Sequence, residues 1–189
     1  MNVNRKTGEE HFHIDNKALD KKLINFWSWS QSDILNNSLR GVLAEYIVAV
    51  ALGVDDCVRI EWDAYDLITK NGLKIEVKSS AYLQSWQQKS HSNIGFDIRP
   101  TKGWDSKTNE YANDFKRQSD IYVFCLLKHK DKETVDPLNL KQWEFYLLST
   151  DILNEKKVRQ KRIGLNPLLK LNPVITDYEG LKEAILGIR

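Results

Sequence analysis

Cysteine is nearly missing. Cys57 and Cys125 are the only two in 189 residues, too few for a disulfide framework, and no Cys/His spacing fits a zinc site. Both are read as lying in apolar, strand-like runs, where a free thiol behaves as a small hydrophobe and points to a reducing compartment. An excess of charge of one sign is missing too: the formal net charge is +2 and the pI near 8.4, so no global electrostatic case for a nucleic-acid partner exists. Long apolar runs are absent. The longest, within Tyr46–Val54, is too short to span a bilayer, and the N-terminus has no signal-peptide pattern, so a soluble, cytoplasmic protein without a membrane partner is expected. No repeat or low-complexity tract divides the chain. With 41% hydrophobic residues it can bury one real core, and a single domain over residues 1–189 is expected.

What is present is a constellation around an Asn71-Gly72 turn. Tyr65–Thr69 and Leu73–Lys78 read as two short apolar strands of a hairpin carrying Asp66 on one arm and Glu76-Val77-Lys78 on the other. Two carboxylates and an ammonium are what metal-assisted phosphodiester cleavage requires: acids to hold a hard divalent cation, and a lysine to orient water or steady charge on the phosphate. In a chain with 29% charged residues a bare Glu-x-Lys also fits an ordinary half-solvated strand. Register separates the readings. A two-residue Asn71-Gly72 turn sets Asp66 opposite Val77, on the apolar side. A three-residue Lys70-Asn71-Gly72 bend, closed by a left-handed glycine, sets Asp66 opposite Glu76, about 5 Å apart at Cβ. Only the second gathers Tyr65, Leu67, Ile75 and Val77 on one apolar face while Asp66, Glu76, Lys78 and Ser80 line the other.

Ahead of the hairpin, Ser38 to Leu52 reads as a helix capped by Ser38 and stopped at Gly53. It is apolar almost all round, so it should pack on the sheet. Glu45 in its middle must find a partner: a salt bridge with Arg40 or a lysine, a solvent-facing stripe, or the metal site itself.

The arrangement resembles the restriction-endonuclease-like superfamily, whose signature, written PD-(D/E)xK, runs Asp, a spacer, then Glu-x-Lys on the central hairpin, often with a further Glu on the preceding helix. The likeness covers residues 38–84 and continues more weakly through Asp120–Leu127. Asp66, Glu76 and Lys78 fall on the signature positions and Glu45 on the optional one. Tyr65 replaces the frequent proline, which leaves Asp63 as a competing acid. The resemblance implies an α/β (α+β) fold: a mixed central sheet with helices on both faces, in the order helix, three strands, helix, strand, over residues 38–148; residues 149–189 themselves read as extra C-terminal helices, peripheral to that core. It also implies an Mg²⁺-dependent endonuclease, with Mn²⁺ as substitute, acting on nucleic acid and usually on DNA, and a homodimer where both strands are cut.

Under that reading Asp66, Glu76 and the Val77 carbonyl hold the metal, with Glu45 completing the shell or hosting a second ion. Lys78 either lowers the pKa of the attacking water or stabilises the transition state. Gln84 and Ser80 orient water or touch the backbone. Trp86, Gln87, Gln88, Arg99, Lys102 and Trp104, from a loop region also holding Lys89, His91 and Lys107, and the basic run Lys156, Lys157, Arg159, Lys161 and Arg162 are the candidates for nucleic-acid contact, set against core packing for the tryptophans and a solvated face for the cations. A nucleic-acid-binding or protein-interaction module on the same fold that no longer cuts is the alternative.

Elsewhere the pattern predicts a first helix over Asn16–Trp29, with Leu19, Leu23, Phe26 and Trp27 on one stripe. His11 and His13 fall in a surface or disordered tail. Short strands are expected at Cys57–Ile60 and Ile94–Ile98, with a polar excursion from Pro100 to Asp114. A second core helix is expected at Tyr111–Arg117, a central strand at Ile121–Leu127, and its hairpin partner at Trp143–Leu148. After Lys78 the strand either runs on toward Gln84 or turns into a helix. Thr150 caps a short helix, and Thr176-Asp177-Tyr178-Glu179 forms a capping box for a final helix through Leu186.

Overall fold

The computed structural model describes residues 3–60, 64–105 and 110–188. Strands β1 (His11–Ile14) and β2 (Lys17–Lys22) form a hairpin, followed by helix α1 (Leu23–Gln31) and helix α2 (Asn37–Leu52). Next come β3 (Leu67–Ile68), β4 (Lys74–Ala81), β5 (Gly95–Asp97), β6 (Trp104–Asp105), β7 (Glu110–Tyr111) and β8 (Ile121–Leu127). The chain then runs β9 (Trp143–Ser149), α3 (Thr150–Lys156), β10 (Arg162–Gly164), α4 (Leu165–Leu169), β11 (Val174–Thr176) and α5 (Leu181–Gly187).

Among the described residues the central sheet has the order β11-β9-β8-β4-β3. β4 and β8 run parallel with Ile75 beside Ile121, and the other neighbours are antiparallel. β8 is an unbroken apolar run and every one of its residues is buried, as expected for a strand covered on both faces. Its odd positions Ile121, Val123, Cys125 and Leu127 join Ile75 and Val77 of β4, Ala44, Ile47 and Val48 of α2, and Leu181 and Ile185 of α5. Its even positions Tyr122, Phe124 and Leu126 pack with Phe96, Ile98, Leu153, Ile163 and Leu168. The mixed sheet with helices on both faces is therefore present, β8 and β9 match the expected strands, and of the two continuations left open after Lys78 the strand is the one found, as far as Ala81.

α2 begins two residues earlier than Ser38 suggested: the Asn36 side chain accepts the Leu39 N–H at 2.9 Å. Gly53, at φ +66, ends it as expected. The helix is less enclosed than its composition implied, because Val42, Tyr46 and Val50 remain exposed.

Several elements differ from expectation. The span from Asn16 is not helical throughout; Asp15, at φ +50, and Asn16 turn a β-hairpin, and the helix starts only at Leu23. Leu19 and Phe26 are exposed rather than striped against a core. His11 and His13 lie in β1, exposed, with their Nδ1 atoms on the Leu19 and Asp15 carbonyls. Val58–Ile60 forms no strand, and Cys57 is exposed whereas Cys125 is buried. Tyr111–Arg117 is not a helix, so no helix separates β4 from β8 among the described residues. Instead Thr101 and Lys116 bridge, and Arg117 is buried, its guanidinium donating to the carbonyls of Ile98 (2.9 Å) and Lys157 (2.8 Å). Part of the polar excursion, residues 106–109, and Asp63 lie outside the described residues.

The C-terminal part is not peripheral. β11 extends the central sheet, β10 pairs with β5, and α5 inserts into the core. The expected capping box at Thr176 does not form, since Thr176 pairs with Phe145 in β11–β9 and α5 starts at Leu181 behind an Asp177–Gly180 contact. Ser149 rather than Thr150 caps α3, accepting the Asp151 N–H.

Candidate active site

The hairpin adopts the three-residue bend. Leu67 faces Ile75 and Ile68 faces Lys74, the Thr69 N–H donates to the Leu73 carbonyl at 2.9 Å, and Gly72 stands at φ +85. That register places Asp66 beside Glu76. The pairing of β3 is only two residues long, and among the described residues no strand pairs with that edge of β4 beyond Ile75. The Val77 N–H at that edge would be an orphan donor. The Asp66 carboxylate accepts it at 2.7 Å, while the Asp66 N–H donates to the Ile75 carbonyl at 3.0 Å.

Alternation along β4 sorts the neighbours. Ile75 and Val77 go into the core, and Glu76 and Lys78, half-buried, stand beside Tyr122 and Phe124 on the opposite face. Lys78 Nζ lies 2.5 Å from Glu76 Oε1. Burial, then the charge of Glu76, pushes the Asp66 carboxyl up to about 7, against the opposing pull of Lys78 and the hydrogen bond from Val77. Burial would lower the Lys78 ammonium, but Glu76 and Asp66 outweigh it and hold Lys78 above its ordinary value. Burial, and after it the charge of Glu76, pushes the Tyr122 phenol up. Two acids and one cation thus share one half-buried spot, with one acid short of compensating positive charge at neutral pH.

Glu45 is engaged by Arg59, which donates to it from Nε and, at 3.0 Å, from Nη2. Its partner is an arginine from the loop after α2, not Arg40 or a lysine. Its charge still reaches Asp66 and raises it further. Among the described residues no group of three His, Cys, Asp or Glu side chains is placed to hold a metal; Asp66 and Glu76 are the pair available.

A cleft of about 580 Å³ opens beside Lys78 and curls round the C-terminal end of β4. It collects Ser80, Gln84, Trp86 and Arg99 from the expected set, together with residues that carried no assignment: Arg40, Asp97 and Asn93. Lys161 and Arg162, from the basic run, line it as well. Arg40 is buried and pulled down to about 10 by that burial. It donates to the Leu35 carbonyl, Asn37, Ser79 and, at 3.4 Å, Gln84. Gln84 is itself buried and donates to Ser92 and the Ala81 carbonyl. Ser80 Oγ accepts from the Gly95 N–H at 3.4 Å, and Asp97 is held by Arg99 at 2.5 Å.

The remaining candidates stand apart from this cleft. Lys102 sits over the Phe115 ring, Trp104 packs edge-on against Tyr111, and Gln87, Lys156, Lys157 and Arg159 do not line it. Gln88 bridges the Gln84 N–H and Ser92, shaping the loop rather than facing the opening. Asp97 was legible only as one polar position in an alternating strand, and Arg40 only as a charge on an apolar helix; neither carried a spacing that linked it to Lys78.

A family model described as bacteriophage T4 endonuclease IV matches residues 3–166 of the chain. That span includes Glu45, Asp66, Glu76, Lys78 and every residue named around the cleft. No curated protein matches the chain.

Proposed function

This chain belongs to the bacteriophage T4 endonuclease IV family, a family of nucleases, and from that premise we propose that it hydrolyses phosphodiester bonds of DNA at the Asp66–Glu76–Lys78 cluster with a divalent cation, on a restriction-endonuclease-like core. The observation that carries the reading is the shared spot itself: two carboxylates set across from each other by the hairpin register beside one ammonium, with the charge of Glu76 reaching Asp66. A cation held between them would relieve that repulsion. Mg²⁺ suits a site of this composition, because it takes one or two carboxylates and keeps its remaining waters.

Asp66 and Glu76 are the ligands, with the Val77 carbonyl as a third donor. Glu45, already bonded to Arg59, adds negative charge behind Asp66 rather than a free ligand. When bound, the cation would polarise the phosphate and lower the pKa of a water. Both expected roles of Lys78, lowering the pKa of the attacking water and stabilising the transition state, need it charged. Held protonated by Glu76 and Asp66, it is no general base; its charge favours hydroxide at a neighbouring water, and its N–H groups donate to charge building on the phosphoryl oxygens. The cleft beside Lys78 receives the strand, with Trp86 half-exposed at its rim for stacking on a base.

Incubation of the chain with plasmid and single-stranded DNA, and with RNA, in Mg²⁺ or Mn²⁺ tests this. Cleavage of DNA that disappears in EDTA and in Lys78→Ala is expected. Cutting that survives EDTA, or an intact shift without cutting in either metal, contradicts the reading; the second result favours a binding module on the same fold.

A further inference from the structure

The cations of the cleft are unequal. Arg40 spends its guanidinium on Leu35, Asn37, Ser79 and Gln84. Lys78 is paired with Glu76, and Arg99 with Asp97. Arg162 has neither a hydrogen bond nor an ion pair among the described residues, and it is exposed while lining the cleft. Its backbone position is nevertheless fixed. β10 pairs with β5 so that Arg162 stands across from Asp97, whose charge reaches Lys78. The guanidinium then lies along the backbone of Gly95: a Cβ built there would come 2.5 Å from Arg162 Nε and 3.0 Å from Nη2. The seat exists because residue 95 has no side chain. It is also held from below, since the Gly95 N–H donates to Ser80 of β4.

Resting on the nuclease reading above, we propose that Arg162, seated on Gly95, is the phosphate clamp of the substrate strand, gripping a phosphodiester beside the one presented to Lys78. A guanidinium with its fork of N–H groups uncommitted matches two phosphate oxygens at once, which an ammonium cannot do. The neighbouring Lys161 adds charge without that geometry. Arg162 is a binding and positioning residue in this account, and it takes no part in bond breaking.

The test measures binding of a fluorescent DNA oligonucleotide in EDTA over a range of salt, together with kcat and KM in Mg²⁺, for four chains. These are the wild type, Arg162→Ala, Gly95→Ala, and Lys170→Ala as an exposed cation outside the cleft. Arg162→Ala is expected to raise Kd and KM about tenfold, leave kcat within about twofold, and lower the slope of log Kd against log salt by about one. Gly95→Ala removes no charge but forces the guanidinium off its seat, and it is expected to raise Kd and KM by less than Arg162→Ala does. Lys170→Ala should match the wild type. The inference is overturned if Arg162→Ala binds like Lys170→Ala, or if Gly95→Ala binds at full strength, while the wild type binds and cuts. A wild type that neither binds nor cuts overturns the nuclease reading and this inference together. Melting curves for each variant confirm that the comparison is between folded chains.

Discussion

The two faces of β4 use one strand for opposite purposes. Toward α2, Ile75 and Val77 are buried in an apolar cluster, and further along the same face Ser79 accepts from the buried Arg40. Toward Tyr122, Glu76 and Lys78 are held half-buried as an ion pair, with Asp66 brought alongside by the hairpin. The first face is ordinary stabilisation, worth roughly 1.5–3 kcal/mol for each large apolar side chain buried. The second costs free energy, since like charges are crowded in a place of reduced solvation. The alternation from Lys74 to Lys78 marks where stability is given up, and crowded, desolvated charges of this kind are enriched at functional sites.

The comparison can be broken or sharpened by substitution on either face. The largest effect is expected from Lys78→Ala, which should lower kcat by about 10³-fold, the scale for removing one preorganised donor from a transition state. Steady-state cleavage measures it, and a loss smaller than tenfold would return Lys78 to the role of a surface charge. Ile75→Ala, one pleat away, should do the reverse. It should cost about 3 kcal/mol of stability in urea unfolding, with kcat of the folded fraction unchanged.

A third test uses pH. Asp66 has a folded pKa raised to about 7, so the native state holds that proton more tightly than the unfolded chain. Its contribution is complete below about pH 4, the ordinary carboxylate range, and is lost as pH rises through 7. The metal-free chain should therefore lose stability from pH 4 to 7 more steeply than Asp66→Asn, and Mg²⁺ or Mn²⁺ at pH 8 should raise Tm in the wild type alone. Parallel slopes for the two chains would show that the carboxyl is not strained. The smallest effect belongs to the bend. Gly72→Ala forces a left-handed backbone on alanine and should cost about 1 kcal/mol, read from the urea midpoint; no change would mean the bend is not what fixes the register.

How much of this was legible in the sequence follows from how local each signal is. The hairpin register could be read because the period-two pattern and the left-handed Gly72 lie within a dozen residues of each other, and both chose the same pairing. β8 and β9 were equally plain, as continuous apolar runs. The N-terminal hairpin was not, because Leu19, Leu23, Phe26 and Trp27 have helical spacing while the Asp15-Asn16 turn overrides it. Thr176 and Glu179 have capping spacing, yet pairing of β11 with Phe145 takes Thr176 into a strand. Tyr111–Arg117 lost its helix to the Thr101–Lys116 bridge and to the carbonyls that Arg117 satisfies. The cleft is the least local feature of all. Arg40, Lys78, Asp97 and Arg162 are brought together only by α2 packing on β4 and by β10 returning to β5, and no short spacing records either event.

The central claim is that Asp66 and Glu76 form one cation site beside Lys78. A crystal of the protein soaked in Mn²⁺ and measured at the manganese absorption edge tests it most directly. The account predicts an anomalous peak coordinated by both carboxylates, absent in Asp66→Asn. A peak elsewhere in the molecule, or no peak in a chain that still cuts DNA in Mn²⁺, contradicts it.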